Sequence, residues 1–330
     1  MNPETARRFG GEVAEGILDW YGREGRLFPW RRVGEGRDRR GLPLHDPYLI
    51  LLSEIMLQQT QAARVVEKLP EFLETFPNVE RLASASKADL LRAWQGMGYN
   101  SRALRLKAAA EIIVNNFNGE FPRDFKQLRS LPGIGRYTAS AILCFAFGEQ
   151  IPVVDVNIAR VLSRIFFKCY TPLQRFREDD LYDLDATLIP SGESYRWHQA
   201  LMDFGAVVCT ARSPSCSSCP IKDYCISATF PLGHSLFDVQ SIRKEEPSFR
   251  GFPRRIWRGR VVELLRGAER GMRVAEVMES LVDSTQPLSE LDRRELLAIL
   301  SRLREDGLVE ITGVVREGGL KEFDVVRLPT

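Results

Sequence analysis

Four cysteines crowded into seventeen residues constrain this chain more than any other feature. The run CTARSPSCSSCPIKDYC sets Cys209, Cys216, Cys219 and Cys225 in the spacing C-x6-C-x2-C-x5-C. In a chain whose N-terminus, MNPETARRFGGEVAEG, shows no basic-then-apolar leader, such a cluster reads as metal binding rather than as a disulfide framework. Four thiolates in one loop suit an all-cysteine zinc site or an iron–sulfur cluster. Zinc sites commonly use two C-x2-4-C pairs, and only Cys216/Cys219 has that form. The spacing therefore favours a cubane cluster. The other two cysteines, Cys144 in AILCFAF and Cys169 in IFFKCY, sit in apolar runs and read as buried core thiols.

The 330 residues suffice for two or three structural units with a sizeable core. No apolar stretch reaches the roughly 18 residues of a membrane span. A cytoplasmic, nucleoid-associated monomer without a membrane partner is expected. Net charge is only +2, so the distribution of charge says more than its sum. Arg23, Arg26, Arg31, Arg32, Arg37, Arg39 and Arg40 crowd a Gly-rich, weakly periodic stretch. Such a stretch reads equally as a patch for phosphates or as a solvated loop.

Periodicity makes the chain mainly α. Residues 4–22 form an amphipathic helix. PYLILLSEIMLQQTQAARVVEKL reads as one long helix, VERLASASKADLLRAW as two short ones, and SRALRLKAAAEIIVNNF and FKQLRSL as two more. LPGIGRYTASAILCFAF then places a Pro-Gly-x-Gly turn directly before an apolar helix. After the cysteines, residues 230–250 lose periodicity as linkers do. IWRGRVVELLRG and RVAEVMESLV are short helices, and SELDRRELLAILSRLREDG is a longer one with Ser289 as N-cap and its end at Gly307. Residues 308–312 and 322–328 can pair as strands around a Gly318–Gly319 turn, which suggests a winged helix over 251–330.

Three segments carry candidate chemistry. Glu54 lies in an almost wholly apolar run. Burial would raise its pKa and make it a general acid, although it also shares a polar stripe with Gln58 and Gln61. Asp155 interrupts IPVVDVNIARVL just before a new helix. It reads as an N-cap held ionised by the helix terminus, and a protonated Glu beside an ionised Asp is how paired carboxylates divide acid and electrostatic roles. In LPGIGRYTA, Gly133 and Gly135 form a tight hairpin, and the helix beginning at Arg136 offers free backbone N–H groups to a phosphate.

Taken in order and spacing, these segments resemble the helix-hairpin-helix DNA glycosylases of the endonuclease III and MutY branch, from about residue 20 to 228. The resemblance implies a six-helix barrel over 47–155, an iron–sulfur cluster domain over 156–229 with which residues 1–46 pack, and a [4Fe–4S] cluster held by Cys209, Cys216, Cys219 and Cys225. Asp155 matches the family's catalytic aspartate. The endonuclease III branch carries a lysine directly after Gly-x-Gly-Arg, and its amine forms a Schiff base with the sugar. Here that position is Tyr137, which implies a monofunctional enzyme that releases the base and leaves an abasic site.

FPWRR, SEIMLQQTQ, GMGY and VVDVN are similar to the MutY adenine glycosylases. By that resemblance the substrate is double-stranded DNA with a mismatched or damaged base, and Glu54 protonates nitrogen-7 of a flipped adenine. Asp155 stabilises the oxocarbenium-like sugar, with Tyr137 and Asn157 bonded around the carboxylates. Trp30 and Arg31 line the base pocket. Gln58, Gln59, Tyr99, Gly133, Gly135 and Arg136 meet DNA, with Gln59 and Tyr99 entering the duplex. Two departures stand out. Asn100 follows Tyr99 where the branch carries a second tyrosine, and the last 80 or so residues do not resemble the Nudix-like domain that reads 8-oxoguanine. A thymine or uracil glycosylase acting opposite guanine is the nearest alternative. A non-catalytic iron–sulfur DNA-binding protein is a further one, and the helix at 290–306 reads as a groove binder or a docking surface.

Overall fold

A computed structural model describes residues 3–31, 45–167, 177–229, 248–282, 288–312 and 320–330. Cys169, Arg32, Arg37, Arg39, Arg40, most of the 230–250 linker and the Gly318–Gly319 turn lie outside the described residues. Helices dominate, in the order α1 (Pro3–Glu24), α2 (Pro47–Leu57), α3 (Ala62–Thr75), α4 (Val79–Ser84), α5 (Lys87–Ala93), α6 (Ser101–Phe117), α7 (Phe125–Ser130), α8 (Arg136–Phe147), α9 (Val156–Phe167), α10 (Glu178–Leu188), α11 (Ser194–Val207), α12 (Arg254–Arg266), α13 (Val274–Leu281) and α14 (Glu290–Glu305). Five short strands lie in the C-terminal part: β1 (Ser248–Phe249), β2 (Phe252–Pro253), β3 (Met272–Arg273), β4 (Glu310–Thr312) and β5 (Val325–Arg327). Among the described residues no helix is long and apolar enough to cross a membrane.

The chain divides into two compact units. The first holds residues 1–51, 123–130 and 134–241; the second holds 52–122, 131–133 and 242–330. In the first, α1, α9, α10 and α11 bury Val13, Ile17, Val161, Leu162, Ile165, Trp197, Leu201 and Phe204 in one core. The helices α9 and α11 approach closely at Gly205. A Cβ there would stand 2.9 Å from Cβ of Asn157 and 3.3 Å from its carbonyl oxygen, so glycine is needed for the contact.

In the second unit, α3–α6 bury Leu69, Phe72, Leu82, Leu91, Trp94 and Leu106. The C-terminal module packs Trp257, Val261, Leu265, Val277, Ile299 and Leu303 from α12–α14 over a small antiparallel sheet in the order β3-β5-β4. Met272 faces Val326, and Val326 faces Ile311. Ser289 caps α14, accepting from the Asp292 N–H, and Gly307 after it is left-handed, as the sequence indicates. The edge strand β3 is the addition. Two residues carry no alternation that a sequence pattern could reveal.

The segment 47–69 departs from the single long helix expected of it. α2 ends at Leu57, α3 begins at Ala62, and Gln59 between them has φ +58°. Nothing in LQQTQ breaks a helix by propensity. The break is imposed from Arg102 on α6. Its buried guanidinium donates to the carbonyls of Ile55 (2.8 Å), Met56 (3.0 Å) and Gln58, satisfying the orphan acceptors of the α2 C-terminus.

Candidate active site and cluster loop

Glu54 lies in the middle of α2, 8% exposed, among Leu51, Leu52, Ile55 and Met56, which are at most 2% exposed. Its helix ends at the Arg102 clamp. The same guanidinium also donates to Thr60 Oγ1 (3.0 Å) and to the carbonyls of Met97 (2.8 Å) and Gly98 (3.2 Å). Burial brings its pKa down to about 10. Arg102 thus ties the turn carrying Gln58 and Gln59 to the turn carrying Tyr99. Both turns hold a non-glycine residue in the left-handed region, Gln59 at φ +58° and Tyr99 at φ +45°, a conformation that costs free energy and persists only where the surroundings enforce it. Gln59 and Tyr99 are exposed and Gln58 is half-buried. Nothing in RALRLK marks Arg102 out from the other basic residues around it.

Across the hairpin, Gly133 has φ +81°, which demands glycine, whereas Gly135, the N-cap of α8, has φ −89°. A Cβ at Gly135 would meet nothing within 4 Å. Neither conformation nor internal packing explains the glycine there, and α8 starts without a side-chain cap. An exposed, uncapped helix start able to come close to a ligand fits an anion site. Arg136 pairs its guanidinium with the exposed Asp179 (2.5 Å) and stacks on Tyr182. Tyr137, next in α8, is half-buried.

Asp155 caps α9. Its Oδ1 accepts from the Ile158 N–H (2.7 Å) and its Oδ2 from Asn157 Nδ2 (2.8 Å). The N-cap reading is correct, but the expected direction of the titration is not. Burial raises the Asp155 pKa, and it outweighs these two bonds, the Asn157 N–H and the charge of Arg160, all of which lower it. Asp155 and Glu54 fall in different units, and Asp155 is brought together directly with Asn157. A further link was not foreseen. Asn157 Oδ1 accepts from Arg160 (3.0 Å), whose guanidinium also donates to the carbonyls of Gly205 (2.6 Å) and Cys209 (3.0 Å). Arg164, one turn on, donates to Cys209 Sγ (3.4 Å) and to the carbonyls of Thr210 and Ala211. A continuous bonded chain therefore runs from the Asp155 carboxyl to the first cysteine. Two arginines four apart in VNIARVLSRIFF were the available signal.

The segment leading into Asp155 is anchored from behind. Val153 N–H donates to Asp185 Oδ2 (3.1 Å), which also accepts from His198 Nε2 (2.7 Å), while Oδ1 accepts from Trp197 Nε1 (2.9 Å). Both side chains of the His198–Asp185 pair are fully buried. Burial lowers the His198 pKa, but the Asp185 charge and hydrogen bond overcome it and hold it up at about 10.

Trp30 is buried and stacked on Phe28. Arg31 does not stand free. Its two Nη atoms donate to Asp203 at 2.8 and 2.9 Å, and Arg26 grips the same carboxylate at 2.7 Å. Both arginines are ion-pair partners of one buried carboxylate rather than free charges of a solvated loop.

Cys209, Cys216, Cys219 and Cys225 line one cavity of about 40 Å³ with Arg164, Phe204 and Ile221 around it. They ring the space rather than converging on a point; among the described residues no three His, Cys, Asp or Glu gather as a single-ion site. All four are free thiols. Burial pushes Cys219 up to about 11 and raises Cys216 and Cys225, and neighbouring cysteines add to each shift. Four thiols around one small cavity, three of them raised by burial and by neighbouring cysteines, would need positive charge between them to ionise together, which the iron of a cluster would supply. The residues fit the group.

The sequence profile described as HhH-GPD superfamily base excision DNA repair protein matches residues 52–175, and that of the iron–sulfur binding domain of endonuclease III matches 209–225. The adenine DNA glycosylase of Mycobacterium tuberculosis is 38% identical over 271 residues, 82% of this chain and 84% of that one. That of Mycolicibacterium smegmatis is 36% identical over 298 residues, 90% of this chain and 92% of that one. The chain belongs to the HhH-GPD superfamily, on its MutY-like branch. It carries the superfamily's iron–sulfur binding segment. The M. smegmatis match leaves only a tenth of the chain outside it, fewer residues than the C-terminal module holds, so the likeness runs into that module. Among solved structures, a thermostable thymine-DNA glycosylase is similar with a TM-score of 0.60 and 30% identity, covering 68% of this chain and 98% of that one.

Proposed function

We propose that this protein is a monofunctional adenine DNA glycosylase of base excision repair, acting on duplex DNA with adenine opposite 8-oxoguanine or guanine. The observation that carries the reading is the likeness to mycobacterial adenine DNA glycosylases over 82–90% of the chain, which reaches into the C-terminal module. In this reading Gln59 and Tyr99 enter the stack while the target adenine leaves it, at an unstacking cost of a few kcal/mol that is least at a mispair. Glu54, held in the apolar wall of α2, delivers a proton to nitrogen-7 of the adenine. The bond from C1′ to the base breaks with its electron pair leaving on the base. Asp155, positioned by Ile158 N–H and Asn157, stabilises the cationic sugar until water adds at C1′. Tyr137 stands where the lyase branch places its amine, so no Schiff base forms and the strand stays intact.

Cys209, Cys216, Cys219 and Cys225 hold a [4Fe–4S] cluster, which supplies positive charge and cross-links the loop. Purified protein is expected to carry about four irons per chain and to absorb broadly at about 400 nm; stoichiometric zinc without iron would refute the ligand assignment. The protein acts as a cytoplasmic monomer.

A thymine or uracil glycosylase is the second reading, favoured by the likeness to the thermostable thymine-DNA glycosylase. A panel of duplexes carrying A opposite 8-oxoguanine, A opposite G, T opposite G and U opposite G, scored for base release before and after alkali, decides between them. Release of adenine alone, with strand breaks only after alkali, is the expected result. Release of thymine or uracil installs the second reading, and silence on all four removes both.

A further inference from the structure

The C-terminal module is fastened to the segment that carries Tyr99. Arg266, at the end of α12, donates to the Leu91 carbonyl (2.9 Å) and to Asn100 Oδ1 (2.9 Å), and Gln95 bonds to Glu263 on the same helix. Asn100 does not cap α6 with its side chain; its carbonyl oxygen is used by Arg266 instead. The asparagine that departs from the branch pattern after Tyr99 is therefore a docking contact for this module.

Docking leaves a cleft of about 760 Å³ between the 98–101 turn and the exposed sides of α12 and α14. Tyr99 and Asn100 form part of one wall, and Arg254, Arg255, Arg258 and Arg302 stand in the other around an apolar floor that includes Ile256, Ile299 and Leu308. No aspartate or glutamate lines it among the described residues. Arg254, Arg258 and Arg302 pair with Glu295, Asp306 and Glu305, and these three acids stand outside the lining. The pairs are at or near the surface, where such bridges are worth little and a guanidinium is readily shared with a second anion. Helix α12 as a whole carries Arg254, Arg255, Arg258, Arg260 and Arg266 against Glu263 alone. Its positive N-terminal end lies at Arg254 and Arg255. In contrast, α14 interleaves its arginines with Glu290, Asp292, Glu295 and Glu305, which suits packing rather than a polyanion.

We infer that this cleft binds the phosphodiester backbone of the DNA duplex beside the base pair that Tyr99 enters, so that α12 rather than α14 is the nucleic-acid face of the C-terminal module. The inference rests on the glycosylase reading only in that DNA is the ligand. A row of guanidiniums next to an intercalating side chain grips the backbone at the point where the stack opens, and contributes affinity without reading sequence.

The test uses the full-length, iron-loaded protein and a duplex with an abasic analogue opposite 8-oxoguanine. Dissociation constants are measured from low to moderate salt for wild type, Arg254→Ala/Arg255→Ala, Arg302→Ala and the control Arg81→Ala on α4. The slope of log affinity against log salt falls by about one for each arginine that meets a phosphate, so the double variant loses about two. Arg81→Ala keeps the wild-type slope. Arg254→Lys/Arg255→Lys keeps both charges and restores most of the slope, and thermal unfolding shows that each variant is folded. A wild-type slope in the folded double variant overturns the inference, whatever a protein partner does at the same cleft. Wild-type protein that releases no base from any duplex overturns the glycosylase reading instead, and the two failures are separate.

Discussion

Replacing Arg102 with methionine isolates what one buried cation does for the site. Methionine fills the space of the stem, so the loss is confined to the guanidinium and its six acceptors. The acceptors on Gln58, Thr60 and Gly98 sit on partly exposed turns and can be rehydrated. The buried Met97 carbonyl keeps a second donor in Thr60 Oγ1, whereas the acceptors on Ile55 and Met56 belong to residues 2% and 0% exposed and stay dry. A buried acceptor left without a donor costs ~1–3 kcal/mol, so two cost ~2–6 kcal/mol, with a central value of ~4. At ~2–4 °C per kcal/mol for a unit of this size, Tm drops by ~8–16 °C. The functional effect is separable from this loss. Without the clamp, Gln59 and Tyr99 relax from their left-handed conformations, and misplacement on the ångström scale costs on the order of 10²-fold in rate. Single-turnover base release is measured well below the lowered Tm, beside denaturant unfolding. Arg102→Lys keeps the charge but not the fork and recovers less than half of either loss. An Arg102→Met protein within ~1 kcal/mol of wild type refutes the clamp, and a destabilised one that excises at the wild-type rate refutes its link to the two turns.

Three other outcomes follow from the geometry. Gly205→Ala pushes a Cβ to 2.9 Å from Cβ of Asn157 and should cost ~1–3 kcal/mol by overpacking while slowing base release; equal activity and stability would remove the close approach of α9 and α11 as a constraint. Because burial raises the Asp155 pKa, the ionised form is lost as pH falls through a value above the ordinary carboxylate range. The acid limb of the single-turnover rate should lie above about pH 4 and vanish, with nearly all activity, in Asp155→Asn; a limb at or below that value contradicts the burial argument. For His198 the folded pKa, about 10, lies above its ordinary value of 6.5. Its contribution to stability is therefore full below pH 6.5 and lost as pH rises toward 10. Denaturant midpoints between pH 6.5 and 10 should fall in wild type and fall less in His198→Gln, and parallel profiles would exclude the buried pair as the cause.

The legible features of this chain were local ones. The cysteine spacing, the Asp155 cap, the hairpin glycine at Gly133 and the Ser289 cap each depend on neighbours within a few residues, and the structure has them where the sequence put them. The features that stayed hidden depend on distant partners. The break after Leu57 is set by an arginine 44 residues away. Arg26 and Arg31 read as surface charge because Asp203 lies 177 and 172 residues further on. The chain from Asp155 to Cys209 needs α9 and α11 in contact before it can be seen. The direction of the Asp155 pKa is hidden for a related reason. Capping geometry is written in DVNI, but the degree of burial is not.

The N-terminal helix lies against the last part of the cluster loop. Phe9 meets Tyr224 with ring centroids 5.7 Å apart, and Gly16 leaves only enough room for Ile221, whose side chain stands 2.9 Å from where a Cβ would be. On a ribosome adding ~5–20 residues per second, α1 emerges ~10–40 s before the residues it covers. The amphipathic helix must spend that interval without its partner. Docking of α1 waits for α10 and α11, and its contact with Tyr224 and Ile221 waits for the cluster loop, so a chain stalled before α10 would leave the apolar face of this helix uncovered, a ready handle for chaperones and proteases.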